Sequence, residues 1–398
     1  MIALKSHGKT ALHIKESSLD KILSIYPDES LTERQVFVEA RQTKEISFSD
    51  LKKECETLSL PWQLFLLKPE KLDKEIAELD KLRKSKFEDK FIASRDNEGK
   101  GVALRIADRL IALQDFARTV VDKNNDFCGS LTKIPDHERA GHILSYFDID
   151  PESLSSGQKE KTLGYIIKQL EKKNVRVSRG VMNSNKLLPI ENNIRSTYRK
   201  SSGFVVKDNK VPYIFLPSEI NDNETPGRQI LTLFALLTMI GLEQYNVYID
   251  GEFETRIRES DLLKQAFGIA SEVLLPVVVT EQLEEPITDS VRDELAEKYM
   301  LTPSAIVLTL QERGLIQTKE ELQELLESIQ RKPESSGASH KRTPNIDTSV
   351  KKLCGEATCA DIIDGVRTDK LTGVRAQYLM FGYVDKLKFE KFKANVGL

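Results

Sequence analysis

The first chemistry this sequence suggests is metal binding, at His137-Glu138-Arg139-Ala140-Gly141-His142. Histidines hold zinc through their ring nitrogens, and a glutamate beside them can take a proton from metal-bound water. Spacing decides against that reading. Histidines four apart sit one above the other on a helix face, whereas five apart turns them about 140° from each other at 3.6 residues per turn. The pair therefore reads as two polar residues on a helix. Cys354 and Cys359 are also five apart, and no His or Cys pair follows them, so they lack the spacing of a zinc knuckle. Glu243, Asp250 and Glu252 bring carboxylates together without a histidine to share acid–base or metal work. Lysines gather at Lys84 and Lys86, and again at Lys386, Lys388, Lys391 and Lys393. Charge at helical spacing is usually a solvated face, and lysines closing a helix suit its dipole, so both runs are read as surface.

Any central site must be positioned by the stretch 229–242, Gln-Ile-Leu-Thr-Leu-Phe-Ala-Leu-Leu-Thr-Met-Ile-Gly-Leu. As a helix it is apolar on nearly every side, so it must be buried all round. It is shorter than the ~20 residues that cross a bilayer, which makes it a core helix. A β-rich run, 211–216, and a turn-rich segment, 221–227, precede it; a second apolar helix, 264–275, follows and stops at Pro276. Upstream, 154–173 has helical spacing and leads into a strand at 175–177. A hairpin pairs 204–206 with 213–216 through a turn at Asp208 and Asn209.

Composition sets wider bounds. A chain of 398 residues with 39% hydrophobic content can fill two or three domains. A net charge of −3, with both signs interspersed among 30% charged residues, excludes a chain that is basic throughout. Four cysteines form no disulfide framework, and no signal peptide or membrane span is visible, so a cytoplasmic setting is expected.

In this order, the strand, the core helix and the second helix resemble the ImmA/IrrE family of zinc metallopeptidases. Gly227-Arg228-Gln229-Ile230-Leu231-Thr232-Leu233 resembles the family's approach to its active helix, RQxFTLAHELGH. Ala270-Ser271-Glu272-Val273-Leu274-Leu275-Pro276 is similar to the end of its second motif, ExxANxFAAELLMP, and Gly203-Phe204-Val205-Val206 with Pro212-Tyr213-Ile214-Phe215-Leu216 to its hairpin. The resemblance spans about 175–314. It implies an α+β fold: a zincin-like core, with a small β-sheet packed on helices, flanked by mostly helical modules.

The chemistry of the family is missing from that frame. Its HExxH positions fall on Ala235, Leu236, Leu237, Thr238 and Met239, and its third zinc ligand falls on Gln265, a neutral amide. A catalytic zinc needs three protein ligands and one open position. The expectation is therefore a pseudo-peptidase with no metal and no cofactor, whose old cleft would be lined by Tyr213, Phe215, Arg228, Gln229, Glu243, Gln265 and Glu272.

The remaining segments give a five-part division. Residues 1–80 read as short helices over 19–25, 31–40 and 51–58, the last capped by Ser49 or Asp50, with Trp62 in the core. The resemblance makes this module the vestige of a helix-turn-helix, since no helix with a DNA-reading face is evident. A connector, 81–150, carries a charged helix (71–89) and an amphipathic one (102–120). The core occupies 151–330, a Pro/Ser/Gly-rich linker 331–347, and a C-terminal helical module 348–398 with helices at 357–366, 374–380 and 386–392.

The expected function is that of an inactive ImmA/IrrE-like regulator. It would bind a protein partner, a helix-turn-helix repressor or a toxin, in a phage, mobile-element or defence setting. One alternative is a DNA-binding transcriptional regulator acting through its terminal modules; a weaker one is a metallopeptidase with a relocated site. Nucleic-acid binding is expected to be weak, no membrane is involved, and the oligomeric state is left open.

Overall fold

The computed structural model describes residues 1–25, 32, 34–58, 60–88, 100–155, 158–180, 201–217, 225–244, 249–250, 261–330, 346–382 and 386–395. The expected Asp250 and Glu252 side chains, most of the 221–227 turn and the linker segment 331–345 lie outside them.

A two-residue hairpin of type I′ needs positive φ at both turn positions, and His7 and Gly8 adopt φ 49° and 75°. They join β1 (Ile2–Ser6) to β2 (Lys9–Ile14), and β3 (Glu45–Ser47) adds to β1 in parallel, giving the order β2-β1-β3. Helices α1 (Glu16–Leu23), α2 (Gln35–Thr43), α3 (Phe48–Leu58) and α4 (Pro69–Glu88) accompany this sheet. Ile2, Leu4, Ile22, Phe37, Leu51 and Cys55 share one core, on which Trp62 packs edge-on to Phe48 at 5.2 Å. The all-helical reading of residues 1–80 is thus corrected, because short strands with two or three inward side chains leave little periodicity to read. The cap of α3 is corrected too: Ser47 Oγ accepts from the Asp50 amide at 3.0 Å, because β3 leads straight into the helix.

The rest of the described chain is built around a second sheet. Its helices before the sheet are α5 (Lys100–Val120), α6 (Arg139–Tyr146), α7 (Pro151–Ser155) and α8 (Lys159–Lys172). The strands are β4 (Arg176–Gly180), β5 (Ser201–Val206), β6 (Tyr213–Pro217) and β7 (Ile249–Asp250), with α9 (Pro226–Gly241) lying between β6 and β7 in sequence. Then follow α10 (Asp261–Leu274), α11 (Val277–Thr280), α12 (Asp289–Lys298), α13 (Pro303–Glu312), α14 (Lys319–Gln330), α15 (Ile346–Cys354), α16 (Glu356–Arg367), α17 (Gly373–Phe381) and α18 (Lys386–Asn395). Strand order is β4-β6-β5-β7; β4 runs parallel to β6, and β5 runs antiparallel to both β6 and β7.

Successive strand side chains point to opposite faces, and here both faces are apolar. Val177, Val205, Ile214 and Leu216 join the larger core with α8, α9 and α10. Phe204, Val206, Tyr213 and Phe215 join a separate core with α5 and α15–α18. A sheet apolar on both faces must be covered on both, so the result is three layers, helix–sheet–helix. The class is α+β. Residues 348–395 are therefore not a module set apart; they supply much of one layer. The turn at Asp208 is as expected, with its carboxylate accepting from the Lys210 and Val211 amides at 2.8 Å each. Gln114 on α5 donates to the Val206 and Val211 carbonyls, which ties that helix to the hairpin. No helix among the described residues is long and apolar enough to cross a membrane.

Candidate functional site

Helix α9 begins at an N-cap, Thr225, whose side chain accepts from the Arg228 amide at 3.4 Å, with Pro226 in the first turn. Beyond that turn every residue from Gln229 to Gly241 is buried. Strands β5 and β6, helices α8 and α10, and the turn Ser130–Lys133 surround it. Gly203 on β5 shows how close this packing is. It has φ +147°, and a Cβ there would stand 2.6 Å from the Phe215 carbonyl oxygen and 3.0 Å from Cδ1 of Leu236. Ala235 and Leu236 are 0% exposed and Met239 is 2% exposed. The three positions of α9 that would carry zinc chemistry in the resembled family, Ala235, Leu236 and Met239, are occupied by close-packed apolar side chains.

The residues expected to line a cleft do not share one open surface. Tyr213 and Phe215 face the opposite layer, away from α9, and Tyr213 hydrogen-bonds Thr358 there. Gln229 is buried and donates to the Pro217 carbonyl at 3.1 Å. Arg228 is half-buried, Glu243 is exposed beside Gly129, and Gln265 and Glu272 are half-buried on α10. No residue of α9 from Gln229 to Gly241 is open to solvent, because a helix apolar on nearly every side is stable only when enclosed. Among the described residues, no three His, Cys, Asp or Glu side chains are grouped to hold one metal ion.

The histidine pair is separated as its spacing indicated, though not on one helix. His137 lies in the short turn Asp136–Glu138 and is exposed, while His142 is half-buried on α6, which begins only at Arg139. Cys354 and Cys359 are free and buried on either side of Gly355.

A buried polar cluster between the layers escaped the sequence reading. Glu171, just inside the end of α8, accepts from the Ala357 amide in the first turn of α16 at 3.0 Å. Arg176 pairs with Asp361 at 2.8 Å, Ser178 donates to the Leu353 carbonyl, and Tyr213 meets Thr358. Burial raises the Glu171 carboxyl to about 7, against the opposing pull of the Ala357 amide and Arg176. Burial likewise raises Asp361, offset by Arg176. Glu171 is a titratable group near neutrality that is shut away from solvent. It joins the two layers, since its partner amide lies on α16.

Comparison of the chain with protein-family models, with curated proteins and with solved structures returns no match. The likeness to the ImmA/IrrE family rests on the residues quoted above.

Proposed function

We propose that this chain is a non-catalytic regulator on a degenerate ImmA/IrrE-like frame, acting by holding a protein partner such as a helix-turn-helix repressor or a toxin. The observation that carries the non-catalytic part is the enclosure of Ala235, Leu236 and Met239 in a helix buried at every residue from Gln229 to Gly241. Ligands and base are replaced there by side chains that fill space, and Met is suited to irregular gaps of that kind. Since α9 has no open face, the partner docks elsewhere on the molecule, a change from the expected cleft.

Metal analysis tests the non-catalytic part. The purified chain should carry no stoichiometric zinc, cleave no peptide, and melt at the same temperature with or without a chelator. One zinc per chain would overturn the reading. The partner is tested by capture from native extract in moderate salt, using the intact chain as bait. Recovery of a repressor or toxin supports the proposal. Recovery of nucleic acid alone would replace it with a DNA-binding regulator.

A further inference from the structure

We infer that α17, with the turn before it and the flanking α18, forms a contact surface for double-stranded DNA. The inference goes beyond the partner-binding reading and rests on different residues. Helices α16 and α17 are joined by a turn of five residues, 368–372, which closes where the Leu371 amide meets the Gly365 carbonyl at 2.9 Å. Thr372 caps α17 by accepting from the Arg375 amide at 3.3 Å. One face of α17 is inside the fold, through Ala376, Gln377, Leu379 and Met380. The other face projects: Val374 is 61% exposed and Tyr378 is 55% exposed, with Arg375 exposed beside them. Leu387 on α18, at 85%, adds to the exposed apolar surface.

Charge identifies the occupant. From Arg367 to Asn395 the sequence has seven lysines and arginines against three carboxylates, in a chain whose net charge is −3. Two of those cations serve the fold: Lys388 lies over the Phe381 ring at 4.7 Å, and Lys393 pairs with Glu390 at 2.9 Å. Arg367, Lys370, Arg375, Lys386 and Lys391 are exposed and have no carboxylate partner among the described residues. Phe389 holds α18 against α17, lying 3.8 Å from where a Cβ on Gly373 would stand, so the two basic segments are neighbours.

A short turn between two helices, the second presenting its N-terminal side chains, is the layout by which a helix enters a DNA groove. A helix about 10–12 Å across fits the major groove of B-DNA, about 12 Å wide. Exposed Val and Tyr suit apolar contact with base edges, and the surrounding cations suit phosphates. α17 is rigidly backed, since Arg109 on α5 donates to the Met380 carbonyl at its far end.

The test uses the full chain and a fluorescent mixed-sequence DNA duplex, followed by anisotropy between about 50 and 200 mM salt. We expect binding that weakens steeply with salt. In Lys370→Ala/Arg375→Ala it should fall by about tenfold or more at low salt, with a salt slope shallower by about 2. Both residues are exposed, so an unchanged melting temperature would confirm that the variant is folded. Three results would overturn the inference: no duplex binding at the lowest salt, equal binding by the variant, or tighter binding to the single strand than to the duplex.

Discussion

Leu236→Glu should cost this protein about 3–5 kcal/mol of stability at neutral pH, the range for an uncompensated buried charge. Leu236 is 0% exposed, and its Cδ1 lies against Gly203 on β5, so a carboxylate there meets neither water nor a cation. The group would resist ionising, its folded pKa rising above the unfolded value. The loss should therefore grow as pH rises above the unfolded pKa, up to the folded one, and shrink in acid. Leu236→Met, which nearly conserves volume, should cost less than about 1.5 kcal/mol. Urea denaturation of the three proteins at two pH values separates the effects. A Leu236→Glu chain as stable as the parent would mean that this position faces solvent and that α9 is rotated from its described orientation.

The second large effect is a pH dependence centred on Glu171. Its folded pKa of about 7 lies above the ordinary glutamate value of 4.5, so between those values the folded protein keeps a proton that the unfolded chain has lost. Stability from this group is full below about 4.5 and falls as pH rises toward 7. The fall is about 3 kcal/mol at most, from 1.36 kcal/mol per pKa unit. Asp361 and Glu312, raised by burial, slope the same way, so the measure is the difference between the parent and Glu171→Gln. The amide can still accept from Ala357 but cannot ionise. We expect the variant to lose most of the slope in denaturation midpoint between pH 5 and 8. Equal slopes in the two proteins would remove Glu171 from the account.

Much of this architecture could be read from local pattern. Residues 229–242 announced a helix with no polar side, and a helix of that kind has one destination. Asp208 marked its hairpin because a short carboxylate satisfies two turn amides. The run Tyr213-Ile214-Phe215-Leu216 also carried a signal that went unused: unbroken apolarity in a strand means two buried faces, hence a second helical layer. That one inference would have called for a second layer over the sheet and removed Tyr213 and Phe215 from the supposed cleft. Other features had no local signature. The β1–β2 hairpin is short, and its His7-Gly8 turn is not among the commonest hairpin pairs. Glu171 looks like any other glutamate near a helix end; only the arrival of α16 from far along the chain buries it.

That distant arrival has a consequence for the protein while it is being made. Phe204, Tyr213 and Phe215 are synthesised long before Val350, Ile362 and Phe392, with which they share a core. At about 5–20 residues per second, that face of the sheet waits on the order of ten seconds for its cover. During that interval, among the described helices of that core, α5 alone is already made to shield the rings. That exposure ends only when α15–α18, made later, reach the same face of the sheet.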